Sequence, residues 1–488
     1  MSDTPHWYLQ LRGHATRIWS LNDGPNQPSE RLLQAVWLHQ RLLRDRLRTA
    51  DGRRLEVIHP GFPQAGGGPD FQNALVRWED GSLISGDVEV DVQSHGWRAH
   101  GHAQNPRFAH VILHVVWESS SRVVVQSATG SDPPVLAVRE YLDAALDELA
   151  LWLDRGEAAT WPENLRGACY GLLTKLPLEQ LVALLQAAAL ARMEAKAVQF
   201  QHRARQVGWE QALWEGLFHA LGYKHNTWPM RWLAERKARW WDQEADVTCL
   251  QARLLGMSGL LPVDTHGMVT ELSTFARRLW DVWWRDRDAL EDCCLPRRAW
   301  HLHAVRPANH PERRLALAAH WLARPQWIRL LESWITREVP ASALLPSLME
   351  IMNPGPDPIW SRYWTLRSAG KSQPQGLIGR AHLSELALNV ILPWLGARAR
   401  SSNHLDLWRK VQERYLAWPA AHDHAVLRMA RQRILGGRLL RGLLHRGAIQ
   451  QGLVQITRDF CDHADARCTG CVFPAGLASR IAASESAL

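Results

Sequence analysis

The sequence predicts an α/β domain at the N-terminus, a large all-α domain after it, and a short Cys-rich knuckle at the C-terminus. Three observations lead there. Up to residue 147, short β-rich runs alternate with Gly, Pro, Asn and Asp turns; from 148 to 455 apolar residues recur at helical spacing; and three of the seven cysteines fall in the last thirty residues. A chain of 488 residues is long enough for about three domains, here 1–147, 148–455 and 456–488.

The first element is a helix over "PSERLLQAVWLHQRLLRDRL", residues 28–47. It places Leu32, Leu33, Val36, Trp37 and Leu43 on one stripe, with Ser29 as N-cap. Strands follow at "LEVIHP", "NALVRWED", "LISGDVEVDV", "HVILHVVWE" and "RVVVQSATG". Asp80-Gly81 suits a two-residue hairpin turn. Such a turn sets Asp70 opposite Asp91 and Gln72 opposite Glu89, so Asp70, Glu89 and Asp91 share one face while Phe71, Leu75, Val88, Val90 and Val92 share the other. The helical part opens on "LPLEQLVALLQAAALARMEAKAVQFQHRARQ" and breaks at "NTWPM", "MNPGPDP" and "SAGKSQPQGLIG".

With 46% apolar and 22% charged residues the composition is that of a folded globular chain, which argues against bulk disorder. The start lacks the apolar core of a secretory leader, and no apolar run approaches the ~18 residues of a membrane span. A cytoplasmic location without membrane contact is expected. The formal charge of +8 is local: between Arg398 and Arg446 stand eleven Lys or Arg against three acids, leaving the remainder balanced at 46 against 46. That stretch, with Arg428, Arg431, Arg433, Arg438 and Arg441, suits a polyanion, or is a solvated arginine-rich helix face. The 26 tryptophans suit core packing better than base stacking.

Three acids on one strand face fit a wet, half-buried sheet. Opposed carboxylates nevertheless repel one another, and a hard divalent ion such as Mg²⁺ or Mn²⁺ removes the conflict. Such an ion also serves phosphodiester hydrolysis. An acid after Pro, then Glu-x-Lys on the next strand, with a helical acid upstream, is the pattern of the PD-(D/E)xK nuclease superfamily. Pro69-Asp70, Glu89-Val90-Asp91 and Glu30 resemble it. The resemblance implies a restriction-endonuclease-like mixed sheet with flanking helices. It also implies that Asp70 and Glu89 hold the cation, with Asp91 as a further ligand and Glu30 orienting the site. Asp91 stands where the lysine is expected, and no lysine precedes Lys175. Arg98 is suited to phosphate binding, but an arginine is too basic to accept a proton.

A longer resemblance runs through "SERLLQAVW", "GPDFQNA", "GDVEVDVQSHGWRAHGH", "LGYKHN", "RPANHPERRLA" and "LALNVILPWL". These segments look like a bacterial family of proteins of unknown function. Its members usually carry His where Asp91 stands and Asp where Gly96 stands.

"GWRAHGHAQNPRFAHVILHVVWE" adds His100 and His102, which suit zinc ligation or, beside the acids, phosphate contact and proton transfer. His114, in an apolar strand, reads as a core histidine. In "DFCDHADARCTGCVFP", Cys461, Cys468 and Cys471 have metal-ligand spacing. His463 completes a zinc set; alternatively Cys169 in "RGACYGLL" completes an iron–sulfur set. The leading expectation is a Mg²⁺-dependent nuclease. Its rivals are a non-catalytic nucleic-acid-binding or scaffold protein on a degenerate nuclease fold and a zinc hydrolase using His100 and His102. No particular protein partner is implied.

Overall fold

The computed structural model describes residues 4–20, 27–64, 66–119, 132–153, 165–421, 423–436, 446–465 and 467–485. Contacts group the chain into two compact units, one of 1–177, 429–437 and 456–488, the other of 178–428 and 438–455. The segment after residue 456 therefore belongs to the first unit and is not a body of its own.

In the first unit, α1 (Thr4–Ser20) is followed by α2 (Glu30–Leu38), where the Ser29 side chain accepts from the Leu32 N–H at 3.3 Å. The helix ends earlier than the expected residue 47. Gln40 adopts φ 47° and returns its side-chain amide to the Trp37 carbonyl, which turns the chain. Leu42 and Leu47 reach the core from the loop beyond.

The sheet comprises β1 (Leu55–His59), β2 (Phe62–Pro63), β3 (Phe71–Trp78), β4 (Leu83–Gln93), β5 (Val111–Glu118) and β6 (Val135–Ala137), in the order β1-β3-β4-β5-β6 with β2 beside β3. The pairs β1–β3 and β3–β4 are antiparallel, while β4–β5 and β5–β6 are parallel. A parallel partner requires a crossover. Between β4 and β5 it is made by α3 (Gly96–Ala99) and two short 3₁₀ turns. The strand expected at 122–130 lies outside the described residues.

The β3–β4 register differs from the expected one in two compensating steps. The loop holds three residues, Glu79 to Gly81, with Gly81 at φ +83° and Trp78 bonded to Ser82, because the third position needs a left-handed residue and Gly supplies it. Arg77 therefore faces Leu83, one residue off the two-residue turn. A bulge at Asn73 (φ 57°) adds a second step, so that Phe71 faces Val88. One step would move the acids to the other face; two restore it. Asp70 thus lies beside Glu89 rather than Asp91, and Leu75, expected among the core residues, falls on the face away from Ala74 and Val76.

Phe71, Val88, Val90, Leu113 and Val115 share one core with Leu32, Val36 and Trp37 of α2. Each such side chain contributes roughly 1.5–3 kcal/mol on burial, which holds β4 in place although its other face carries acids. His59, 2% exposed, is tied to this sheet: its Nδ1 accepts from the Gly61 N–H at 3.0 Å, and its buried Nε2 has no hydrogen-bond partner among the described residues. Burial pushes His59 down to about 3. A folded value below the ordinary one means that this contribution to stability is full above pH 6.5 and is lost as pH falls toward 3. His59→Leu should therefore flatten the fall in melting temperature between pH 6.5 and 4, followed by circular dichroism. An unchanged slope would refute this assignment.

The second unit is mostly helical, built around the 30-residue helix Leu178–Val207, against which Leu392–Ser401 packs. Trp232, Trp321, Trp327, Trp334, Trp360, Trp394 and Trp418 are fully buried in it, as core packing predicts. In "RPANHPERRLA", buried Arg313 and Arg314 donate to the carbonyls of Gln375, Gly376 and Leu377, pinning that loop. Among the described residues no helix is long and apolar enough to cross a membrane.

Candidate functional site

Asp70, Glu89 and Asp91 meet near the C-terminal end of β4, the end at which open α/β sheets place their ligands. Glu89 and Asp91 are shut off from water. Glu89 is 7% and Asp91 4% exposed, and Asp70 is half-buried. The Asp70 N–H donates to Glu89 Oε2 at 3.2 Å, and the Val90 N–H donates to Asp70 Oδ2 at 3.0 Å. On α2, the Gln34 amide donates both to Asp70 Oδ1 (2.9 Å) and to Glu30 Oε1 (3.2 Å), one helical turn back, which brings the exposed Glu30 to the rim.

The crossover delivers the histidines. His100 Nδ1 lies 3.4 Å from Asp91 Oδ1, and His102 Nε2 3.2 Å from Glu89 Oε1. The His102 contact lacks hydrogen-bond alignment, leaving its buried Nε2 without a hydrogen bond among the described residues. Its ring stacks on Phe108 with centroids 3.9 Å apart. From β5, which sets His114 beside Glu89, the buried His114 Nε2 lies 2.9 Å from Asp91 Oδ2. One atom each of Asp91, His100 and His102 falls within 4.8 Å of the others.

Burial and the Asp70 charge push Glu89 up to about 8, and burial pushes Asp70 up to about 6. Burial, then the Asp91 charge, raises Glu30, while burial lowers His102. Among the described residues no lysine or arginine is ion-paired with Asp70, Glu89 or Asp91. Four carboxyls and two histidines with unspent ligand atoms are a donor set for a divalent ion.

Gly96 is required here. A Cβ on it would lie 2.7 Å from the Asp91 carboxyl carbon. A side chain at 96 and an acid at 91 would compete for one volume. Gln34 and the His114–Asp91 contact were not read as site features. The signal for Gln34 was its i+4 spacing from Glu30; that for His114 needed the parallel register.

The expected nucleic-acid arginines do not form one exposed group. Arg433 is 1% exposed, a correction: buried under the cysteine segment, it is closed to a polyanion. Arg98 pairs with Asp132 at 2.8 Å, Arg428 is exposed, Arg431 is half-buried, and Arg438 and Arg441 lie outside the described residues. Nearby, Arg398, Arg400, Arg409 and Lys410 pair with Glu332, Glu194, Asp406 and Glu338, and Arg414 donates to backbone carbonyls. Part of the local charge excess is thus paired at the surface, and part, at Arg414 and Arg433, is buried.

A family model described as "Protein of unknown function (DUF2851)" matches residues 30–424. No curated protein and no solved structure matches the chain.

Proposed function

The chain belongs to the DUF2851 family, whose model spans the acidic site, and from that site we propose that it is a divalent-cation-dependent phosphodiester hydrolase acting on DNA or RNA. One observation carries the reading: Glu89 and Asp91 are buried together beside Asp70 with histidines, and no lysine or arginine, as their charged-partner candidates among the described residues, an arrangement that ionised carboxylates resist unless a cation joins them. Asp91, grouped with His100 and His102, would hold it, and Asp70 and Glu89 beside them would complete the ligand set. Imidazole beside carboxylate suits Mn²⁺ as well as Mg²⁺. When bound, such a cation generates a nucleophilic water and offsets charge developing on phosphate.

The chain's own groups supply the rest. Gln34 orients Asp70 and Glu30; buried His114 orients Asp91; His102, whose charged form burial disfavours, is the nearest group suited to accept a proton in place of the missing lysine. The α-β-β-β-α-β order of α2, β1, β3, β4, α3 and β5 supports a nuclease-like fold by analogy.

The test incubates wild type and Glu89→Gln with single- and double-stranded DNA and RNA plus Mg²⁺ or Mn²⁺. Cleavage by wild type alone is expected. No cleavage of any substrate overturns the reading. It would favour a non-catalytic nucleic-acid-binding or scaffold protein, the role that Asp91 in the lysine position supports. Cleavage restored only by Zn²⁺ would shift weight to a zinc hydrolase on Asp91, His100 and His102.

A further inference from the structure

We propose that Cys169, Cys461, Cys468 and Cys471 together ligate an iron–sulfur cluster inside the first unit, with Arg433 as the cation that faces its thiolates. This stands apart from the acidic site and does not depend on its function.

Three chain segments, far apart in sequence, converge on these sulfurs. The Gly167 N–H donates to the Arg433 carbonyl at 2.8 Å, and the Ala168 N–H points to Cys468 Sγ at 3.4 Å. Gly436 lies directly over the Tyr170 ring, so close that a Cβ there would sit 2.3 Å from it. From the third segment, Cys468 adopts φ 61° and its carbonyl accepts from the Cys471 N–H at 3.1 Å, closing the Cys-x2-Cys turn. Cys169 and Cys461 are each 5% exposed. The Cys169 thiol lies within electrostatic range of Cys468 and Cys471, and Cys461 within range of Cys169 and Cys471. All four sulfurs therefore occupy one neighbourhood.

The second observation is Arg433. Its guanidinium, fully buried, donates to Cys468 Sγ at 3.0 Å and to the Asp465 carbonyl at 3.0 Å. Neutral thiols are weak acceptors, whereas metal-bound thiolates are negatively charged and commonly receive such donors. A buried cation aimed at sulfur fits the ligated form better than four free thiols.

Two further points select the ligands and the metal. The His463 ring lies against Trp19, with centroids 6.0 Å apart and planes 12° from parallel, whereas buried Cys169 faces Cys468 and Cys471; the fourth ligand is therefore assigned to Cys169. Around one zinc, Zn–S bonds of about 2.3 Å put tetrahedral sulfurs within about 4 Å of each other. Among the described residues the three-ligand grouping within 4.8 Å is Asp91, His100 and His102, and no cysteine trio. A four-iron cluster holds its thiolates further apart because its own core separates them.

The experiment purifies the full chain without oxygen and measures iron, acid-labile sulfide, zinc and the visible spectrum. About four irons and four sulfides per chain with charge-transfer absorption are expected. Cys169→Ser and Cys471→Ser should each lose them, while His463→Ala and Cys249→Ser retain them. One zinc per chain, or no metal at all, in the wild type overturns the proposal, so misfolding of a variant does not shield it. Loss of iron in His463→Ala, with Cys169→Ser retaining it, overturns the ligand assignment.

Discussion

Glu89→Gln should raise the melting temperature of the metal-free protein above pH 8 and abolish its response to Mn²⁺. Glu89 is buried, and its carboxyl is pushed up to about 8 by burial and by Asp70. For an acid raised above its ordinary value of 4.5, the folded state holds the proton that the unfolded chain releases. Its contribution is therefore most favourable below pH 4.5, falls as pH rises toward 8, and is at its worst above. Glutamine has the same shape, still accepts from the Asp70 N–H, and carries no charge to repel Asp70. The wild type should instead gain from the proposed cation, by about 2.7 kcal/mol at a hundredfold excess over its dissociation constant. Calorimetry with chelator and with Mn²⁺ separates these effects. A variant that keeps the Mn²⁺ shift would contradict the role given to Glu89. Hydrolysis should fall by on the order of 10²-fold or more.

Asp91→Ala should destabilise the protein by about 3 kcal/mol, and Asp91→Asn by much less. Asp91 Oδ2 is the partner of His114 Nε2 at 2.9 Å, and both side chains are buried. Alanine leaves the imidazole facing a void with an unmet hydrogen bond; asparagine keeps an acceptor. Denaturant unfolding of the two variants gives the comparison. Both should lose cation binding, so the contrast isolates the structural part of Asp91 from its proposed part as a ligand. Equal losses of stability would mean that the hydrogen bond to His114 contributes little.

Much of the β-domain was legible in the sequence because period-two patterning and Gly or Pro punctuation act locally. Four of the five strands from Leu55 to Glu118 fall where alternation places them, the exception being the two-residue β2. The register was less legible: a two-residue and a three-residue turn are both compatible with "EDGS", and nothing local announces the bulge at Asn73. The acids nevertheless stay on one face because the two shifts cancel. Helix α2 stops short of its apolar stripe, which continues through Leu43, because the turn at Gln40 is set by a side-chain bond and tertiary contacts. That the acids are buried could not be read from spacing, because their cover arrives from a separate segment, the crossover bearing His100, His102 and Phe108. The basic stretch shows the converse. Its charge count was correct, but the acids that pair with it, such as Glu194 and Glu332, lie far away in sequence.

On the proposed reading, the buried carboxylates hold a divalent cation. Titration of Mn²⁺ into the metal-free full chain near neutral pH, followed by the loss of the free-ion electron paramagnetic resonance signal, addresses it most directly. Saturable binding that disappears in Asp70→Ala and in Glu89→Gln is the predicted result; no binding by the wild type, or binding that both variants retain, would contradict it.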